Sequence, residues 1–139
     1  VRRAIDDARA SDVIELVGPR FGDDKEALFR SASLFILPSF TENFGIVVAE
    51  ALAYGVPAIT TTGTPWPWIV DEGCGWCVAP DQAALAAAIR DATLRSSADL
   101  AAMGLLGRQQ IESRCVWRST ASILDDAYRR ILTRGHEER

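Results

Sequence analysis

Short apolar runs alternate with amphipathic stretches over the first two thirds of the chain, and the alternation predicts its elements. Residues 1–10 read as the end of a helix. The run Val13-Ile14-Glu15-Leu16-Val17 reads as a strand stopped by Gly18-Pro19. Asp23 and Asp24 then offer an N-cap for a helix through Ala32. Residues 34–37 (Leu-Phe-Ile-Leu) form a second, buried strand. Residues 45–54 are helical, with Gly55 at the C′ position and Pro57 beyond it. Residues 57–62 are the next strand. Residues 63–68 (Gly-Thr-Pro-Trp-Pro-Trp) make a loop, because prolines break any ladder. Residues 75–79 are a last short strand.

The remainder reads as helix. Asp81 caps a run with Leu85, Ala88 and Ile89 on one face. Ser96-Ser97 starts another helix through about Arg114. Residues 117–132 carry Ile123, Leu124, Ala127, Tyr128, Ile131 and Leu132 as an apolar stripe, so the C-terminal helices span about 81–134. The tail 133–139 is polar and expected to fray. The order β-α-β-α-β-β followed by helices predicts an α/β fold: a Rossmann-like parallel sheet flanked by helices, with right-handed crossovers. An open doubly wound sheet normally has more strands. Residues 1–139 are therefore expected to be a single partial domain whose first βα units lie upstream. The missing initiator Met points the same way.

Bulk properties narrow the classes. The chain has 139 residues, 48% of them hydrophobic and 24% charged, enough apolar content to bury a core. Its net charge of −4, with arginines scattered rather than clustered, argues against a nucleic-acid partner. No apolar run approaches the roughly 18–20 residues of a membrane span, and Val1-Arg2-Arg3-Ala4 leads into acidic residues rather than a signal-peptide core. Three cysteines do not make a disulfide framework. A reducing cytosol is expected, with room for a peripheral position on the inner face of the plasma membrane.

The chemistry gathers in residues 39–57. Glu42 precedes the predicted helix, Gly45 opens it, and Glu50 lies inside it. In parallel α/β sheets ligands bind at the carboxyl ends of the strands, where this stretch falls. A helix N-terminus offers unpaired N–H groups and partial positive charge, which attract phosphate without a metal or a lysine. Glycine lets that phosphate approach the backbone. A carboxylate accepts two hydroxyl hydrogen bonds at once, which suits the vicinal diols of sugars.

Pro38-Ser39-Phe40-Thr41-Glu42-Asn43-Phe44-Gly45, continued by Glu50-Ala51, Ala53, Gly55 and Pro57, resembles the Glu-seven-residues-Glu signature of retaining GT-B glycosyltransferases of the family 4 or group 1 type. The resemblance extends to Val13 through Gly18, to Leu28 through Ser33, and to the turn Asp71 through Trp76. It implies a C-terminal GT-B domain of bacterial polysaccharide or lipopolysaccharide type. That domain would bind a nucleotide-diphosphate sugar of UDP or GDP type for transfer to a glycan or lipid acceptor. Glu42 would be catalytic, meeting donor-sugar hydroxyls near the reacting carbon. Asn43 and the amides of Phe44, Gly45 and Ile46 would hold the diphosphate and sugar. Glu50 would take the ribose hydroxyls, and Gly18 and Pro19 would border the base. No metal or cofactor is implied. An N-terminal GT-B domain would be the partner, so this chain alone is expected not to turn over. One departure stands out. Thr64-Pro65-Trp66-Pro67-Trp68 replaces the family's Gly-Gly-x-x-Glu, and its tryptophans are free to pack beneath the loop.

Plainer readings compete. Glu42 and Gly45 fit a solvated helix entry, and Glu50 fits a helix-face carboxylate, although its neighbours Val47, Val48, Ala51 and Leu52 are apolar. Cys74-Gly75-Trp76-Cys77 has the spacing of a redox pair or half a zinc site. A zinc site needs two further ligands, and only the distant Cys115 and His136 are left. Three functions follow: a transferase, a nucleotide-sugar-binding module without activity, and a thiol redox protein. Trp117 and Tyr128 read as packing, Arg129-Arg130 as a solvated face, and His136 as a tail residue.

Overall fold

The computed structural model describes residues 1–115, 121–122 and 124–129. Helices α1 (Arg2–Asp7) and α2 (Gly22–Ser31) lead into strand β1 (Phe35–Ile36). Then follow α3 (Ile46–Ala53), β2 (Ala58–Thr61), the short α4 (Trp68–Asp71) and β3 (Gly75–Val78). Helices α5 (Gln82–Leu94) and α6 (Ser97–Arg114) follow. The three strands form one parallel sheet in the order β1-β2-β3, with Ala58 opposite both Phe35 and Gly75.

The sheet is covered on both faces, as a parallel sheet must be. β2 lies at its centre and is buried at all four positions. Its successive side chains point to opposite faces. Ala58 joins Val48, Leu52, Trp66, Ile69, Cys74 and Ile111 on one side, and Ile59 joins Ala88 and Ala92 of α5 on the other. Asp81 caps α5 by accepting a hydrogen bond from the Ala84 amide. Ser96 and Asp99 form a reciprocal capping box at the start of α6. These caps fall where the sequence places them. Residues 121–122 and 124–129 are helical, within the predicted 117–132 stripe. Trp117, Ile123, Arg130 through Leu132, His136 and the 133–139 tail lie outside the described residues.

Several expectations need correction. Residues 13–17 form no strand, and Val13, Ile14 and Leu16 are exposed. An extended segment becomes a strand only where a neighbour completes its ladder, and none pairs with this one among the described residues. The 34–37 strand shortens to two half-buried residues, because among the described residues β1 has β2 alone as partner. Asp23 and Asp24 do not cap α2; Phe21 occupies the N-cap and both acids fall in the first turn, where they still favour the helix dipole. The 63–68 loop closes into α4, because Pro67 has helical dihedrals and so starts a turn rather than only breaking a strand.

Candidate functional site

The loop between β1 and α3 is fastened to the carboxyl end of β2. The buried hydroxyl of Thr61 donates to the Ser39 carbonyl, and the Glu42 amide donates to the Gly63 carbonyl at 3.1 Å. The Phe40 carbonyl lies so close to Gly63 that a Cβ there would stand 2.0 Å from it. The Glu42 side chain is half-buried, and its Oε1 accepts from the Ser39 hydroxyl at 2.7 Å.

Gly45 enters α3 in the left-handed conformation, φ 69°, and no side chain caps the helix. An L-residue rarely adopts that conformation, which explains glycine at this position. The first amides of a helix have no acceptor within it. At α3 the Val48 amide donates to the Gly45 carbonyl at 2.8 Å, and among the described residues no side chain caps the Ile46 and Val47 amides before it. Beneath them lies Trp66, buried to 1% exposure, its ring tilted against Phe44 at 5.2 Å. The Trp66 indole N–H donates to the Phe44 carbonyl. The carbonyl and N–H of a trans peptide point in opposite directions. Trp66 therefore holds the carbonyl inward and turns the Gly45 N–H outward. Trp66 packs in turn on Trp68, which carries the Arg114 guanidinium over its ring at 4.9 Å.

A groove of about 540 Å³ runs from this helix start between α3 and the end of α6. Phe44, Ile46, Ala49, Glu50 and Ala53 line one wall, and Ile111, Arg114 and Cys115 the other. The groove brings Phe44, Ile46 and Glu50 together. Glu42, Asn43 and Gly45 stand at the same helix entry without lining the groove, and Asn43 is exposed. Gly18 and Pro19 are exposed and do not reach it. Their neighbours Val17 and Arg20 line a separate cleft against α2 with Asp24 and Leu28.

Glu50 is not buried by its apolar neighbours, because it lies on the outer side of α3. It pairs with Lys25 of α2, whose Nζ is 2.6 Å from Oε1, and the two side chains are 30% and 40% exposed. Lys25 is not legible from sequence, since its partner is 25 positions away. Ser39 and Thr61 were also missed, although Ser39 stands three residues before Glu42, the spacing of a local side-chain contact.

Cys74 is poorly placed for redox or metal chemistry. Cys74 is buried in the core, and burial, with the nearby charge of Glu72 second, pushes its thiol up to about 11. The thiolate that redox or metal chemistry requires is therefore scarce at neutral pH. All three cysteines are free. No cluster among the described residues could hold a metal ion, and no described helix is long and apolar enough to cross a membrane.

A parallel sheet covered on both faces, with an uncapped helix start at its carboxyl edge, defines a Rossmann-like α/β domain. The chain belongs to the glycosyl transferases group 1 family, whose model matches residues 1–94. It is 30% identical over 123 residues to a D-inositol 3-phosphate glycosyltransferase of Saccharomonospora viridis, covering 87% of this chain and 28% of that one. The sucrose-phosphate synthase of Thermosynechococcus elongatus superposes with a TM-score of 0.79 at 28% identity. That match covers 95% of this chain and 33% of the synthase. WaaG, a glycosyltransferase involved in lipopolysaccharide biosynthesis, shares the fold with a TM-score of 0.70 at 24% identity, over 81% of this chain and 31% of WaaG. The fold is thus that of GT-B glycosyltransferases, and the chain spans about a third or less of each of these relatives.

Proposed function

We propose that this chain is the donor-binding half of a retaining group 1 glycosyltransferase. In this reading it takes a sugar from a nucleoside diphosphate and passes it to a glycan or lipid-linked acceptor of the cell envelope, on the cytoplasmic side. One observation carries the reading. The helix start at Gly45 is uncapped and left-handed, with Glu42 held three residues before it and Glu50 at the groove five residues after it.

Each group then has a task. The Gly45 and Ile46 amides and the α3 dipole receive the diphosphate, and they gain most as charge builds on the leaving oxygen. Glu42 Oε2 is left to accept a donor-sugar hydroxyl, which fixes the sugar over the diphosphate. Glu50, steadied by Lys25, accepts from the ribose diol, and Gly18-Pro19 borders the base from the α2 side. The envelope acceptor is supported by likeness to the putative colanic acid biosynthesis glycosyltransferase WcaL of Salmonella typhimurium, 33% identical over 97 residues, 65% of this chain and 24% of that one.

The test uses the full-length protein. UDP, GDP and ADP are titrated, and the transfer and hydrolysis of their sugar conjugates are followed by NMR, which also reports the anomeric configuration of the product. One nucleotide should bind, the product should retain configuration, and Glu42→Ala should lower turnover by about 100-fold or more while leaving nucleoside diphosphate affinity within about threefold. Full activity in Glu42→Ala would remove the role given to Glu42. Binding without transfer would instead identify a nucleotide-sugar-binding module.

A further inference from the structure

Glu42 carries a carboxylate on a side chain with three rotatable bonds, and in water such a group samples many orientations. Here its backbone is fixed from two sides. The Thr61 hydroxyl holds the Ser39 carbonyl, and the Gly63 carbonyl holds the Glu42 amide. The Phe40 carbonyl pressed onto Gly63 leaves the loop no room to move inward. The freedom that remains is that of the side chain, and the Ser39 hydroxyl restricts it by donating a hydrogen bond to Oε1 at 2.7 Å. Ser39 is half-buried in the loop three residues beyond β1, so its own hydroxyl is placed by the same anchoring.

We propose that Ser39 is a positioning residue for Glu42: it binds one carboxylate oxygen and presents the other to the sugar of the donor. The proposal rests on the donor-site reading above. Ser39 itself touches no substrate in this scheme. It acts through Glu42, and it serves the sugar rather than the nucleotide, because the diphosphate and ribose are received by α3 and Glu50.

The experiment measures affinities of the full-length protein and its Ser39→Ala and Ser39→Thr variants. The probes are UDP, GDP and ADP beside UDP-glucose, GDP-mannose and ADP-glucose. Removing a hydrogen bond to a charged group should raise the Kd of the sugar conjugate about tenfold in Ser39→Ala. The Kd of the matching nucleoside diphosphate should stay within about twofold. Ser39→Thr, which keeps the hydroxyl, should restore most of the loss. In a Glu42→Gln background the Ser39→Ala change should add little further, because the two residues act as one unit. Equal losses for conjugate and bare diphosphate, or full additivity with Glu42→Gln, would overturn the proposal. Wild-type protein that binds none of the probes would end the donor-site reading and this inference together. Wild-type binding with an unimpaired Ser39→Ala variant would end this inference alone.

Discussion

Two glycines mark the corners of the proposed site, and their surroundings have little in common. At Gly63 an added Cβ would stand 2.0 Å from the Phe40 carbonyl, backbone against backbone. At Gly18, φ is +67° and an added Cβ would meet nothing within 4 Å. The first glycine is required by what packs on it. The second is required only by its own dihedral angle. The Gly63 corner is built into the core through Thr61, Trp66 and the helix start above them. The Gly18 turn follows a segment whose apolar residues Val13, Ile14 and Leu16 stay exposed. The residues proposed to meet the sugar are thus fixed within this chain, whereas the turn proposed to border the base is held by local geometry.

The largest effect is expected at Gly63. Neither partner in that contact is a flexible side chain, so Gly63→Val must push the 39–42 loop away from β2. That breaks the Glu42-to-Gly63 hydrogen bond and moves Glu42 with it. Misplacing a catalytic group by about 1 Å can cost about 100-fold, so transfer by the full-length variant should fall at least that far. Its stability should drop by about 1–3 kcal/mol, as overpacking does. Retention of activity would show that Glu42 does not depend on this corner.

The intermediate effect belongs to Lys25, which links the two regions. It sits on α2, just after the Gly18 turn, and reaches Glu50 on α3 at 2.6 Å. Both partners are partly exposed, so the pair adds only about 0–1 kcal/mol to folding. Its value lies in orienting Glu50. Lys25→Met should therefore leave the melting temperature nearly unchanged and weaken nucleoside diphosphate binding several-fold, to about tenfold. Calorimetric titration of UDP, GDP or ADP reads this directly. Unchanged affinity would detach Lys25, and the role of its partner Glu50, from the ribose site.

The same contrast decides what could be read from sequence. The helix 45–54, its glycine ends, the caps at Asp81 and Ser96 and the short strands at 57–62 and 75–79 were all legible, because each depends on residues close in the chain. The signature around Glu42 and Glu50 was legible for the same reason. Residues 13–17 were misread because strand formation depends on a neighbour as much as on Val and Ile content. Lys25 and Thr61 were invisible because their partners lie 25 and 22 positions away. Trp66 was only half legible. Its departure from the family pattern was plain, but not that its indole would hold the Phe44 carbonyl.

The smallest effect is expected at Gly18. An alanine there meets no atom, so the cost is only that of placing an L-residue in the left-handed region, about 1–2 kcal/mol. Gly18→Ala should lower the melting temperature by a few degrees, and Gly18→Asn by less, since asparagine tolerates that region better. Nucleoside diphosphate affinity should stay within about threefold, because a base that borders the turn can shift where nothing in the core pins it. A far larger loss of affinity, with stability barely changed, would place the base directly against the Gly18 Cα. The two corners would then be alike after all, both glycines being required by what packs on them, one by the core and the other by the ligand.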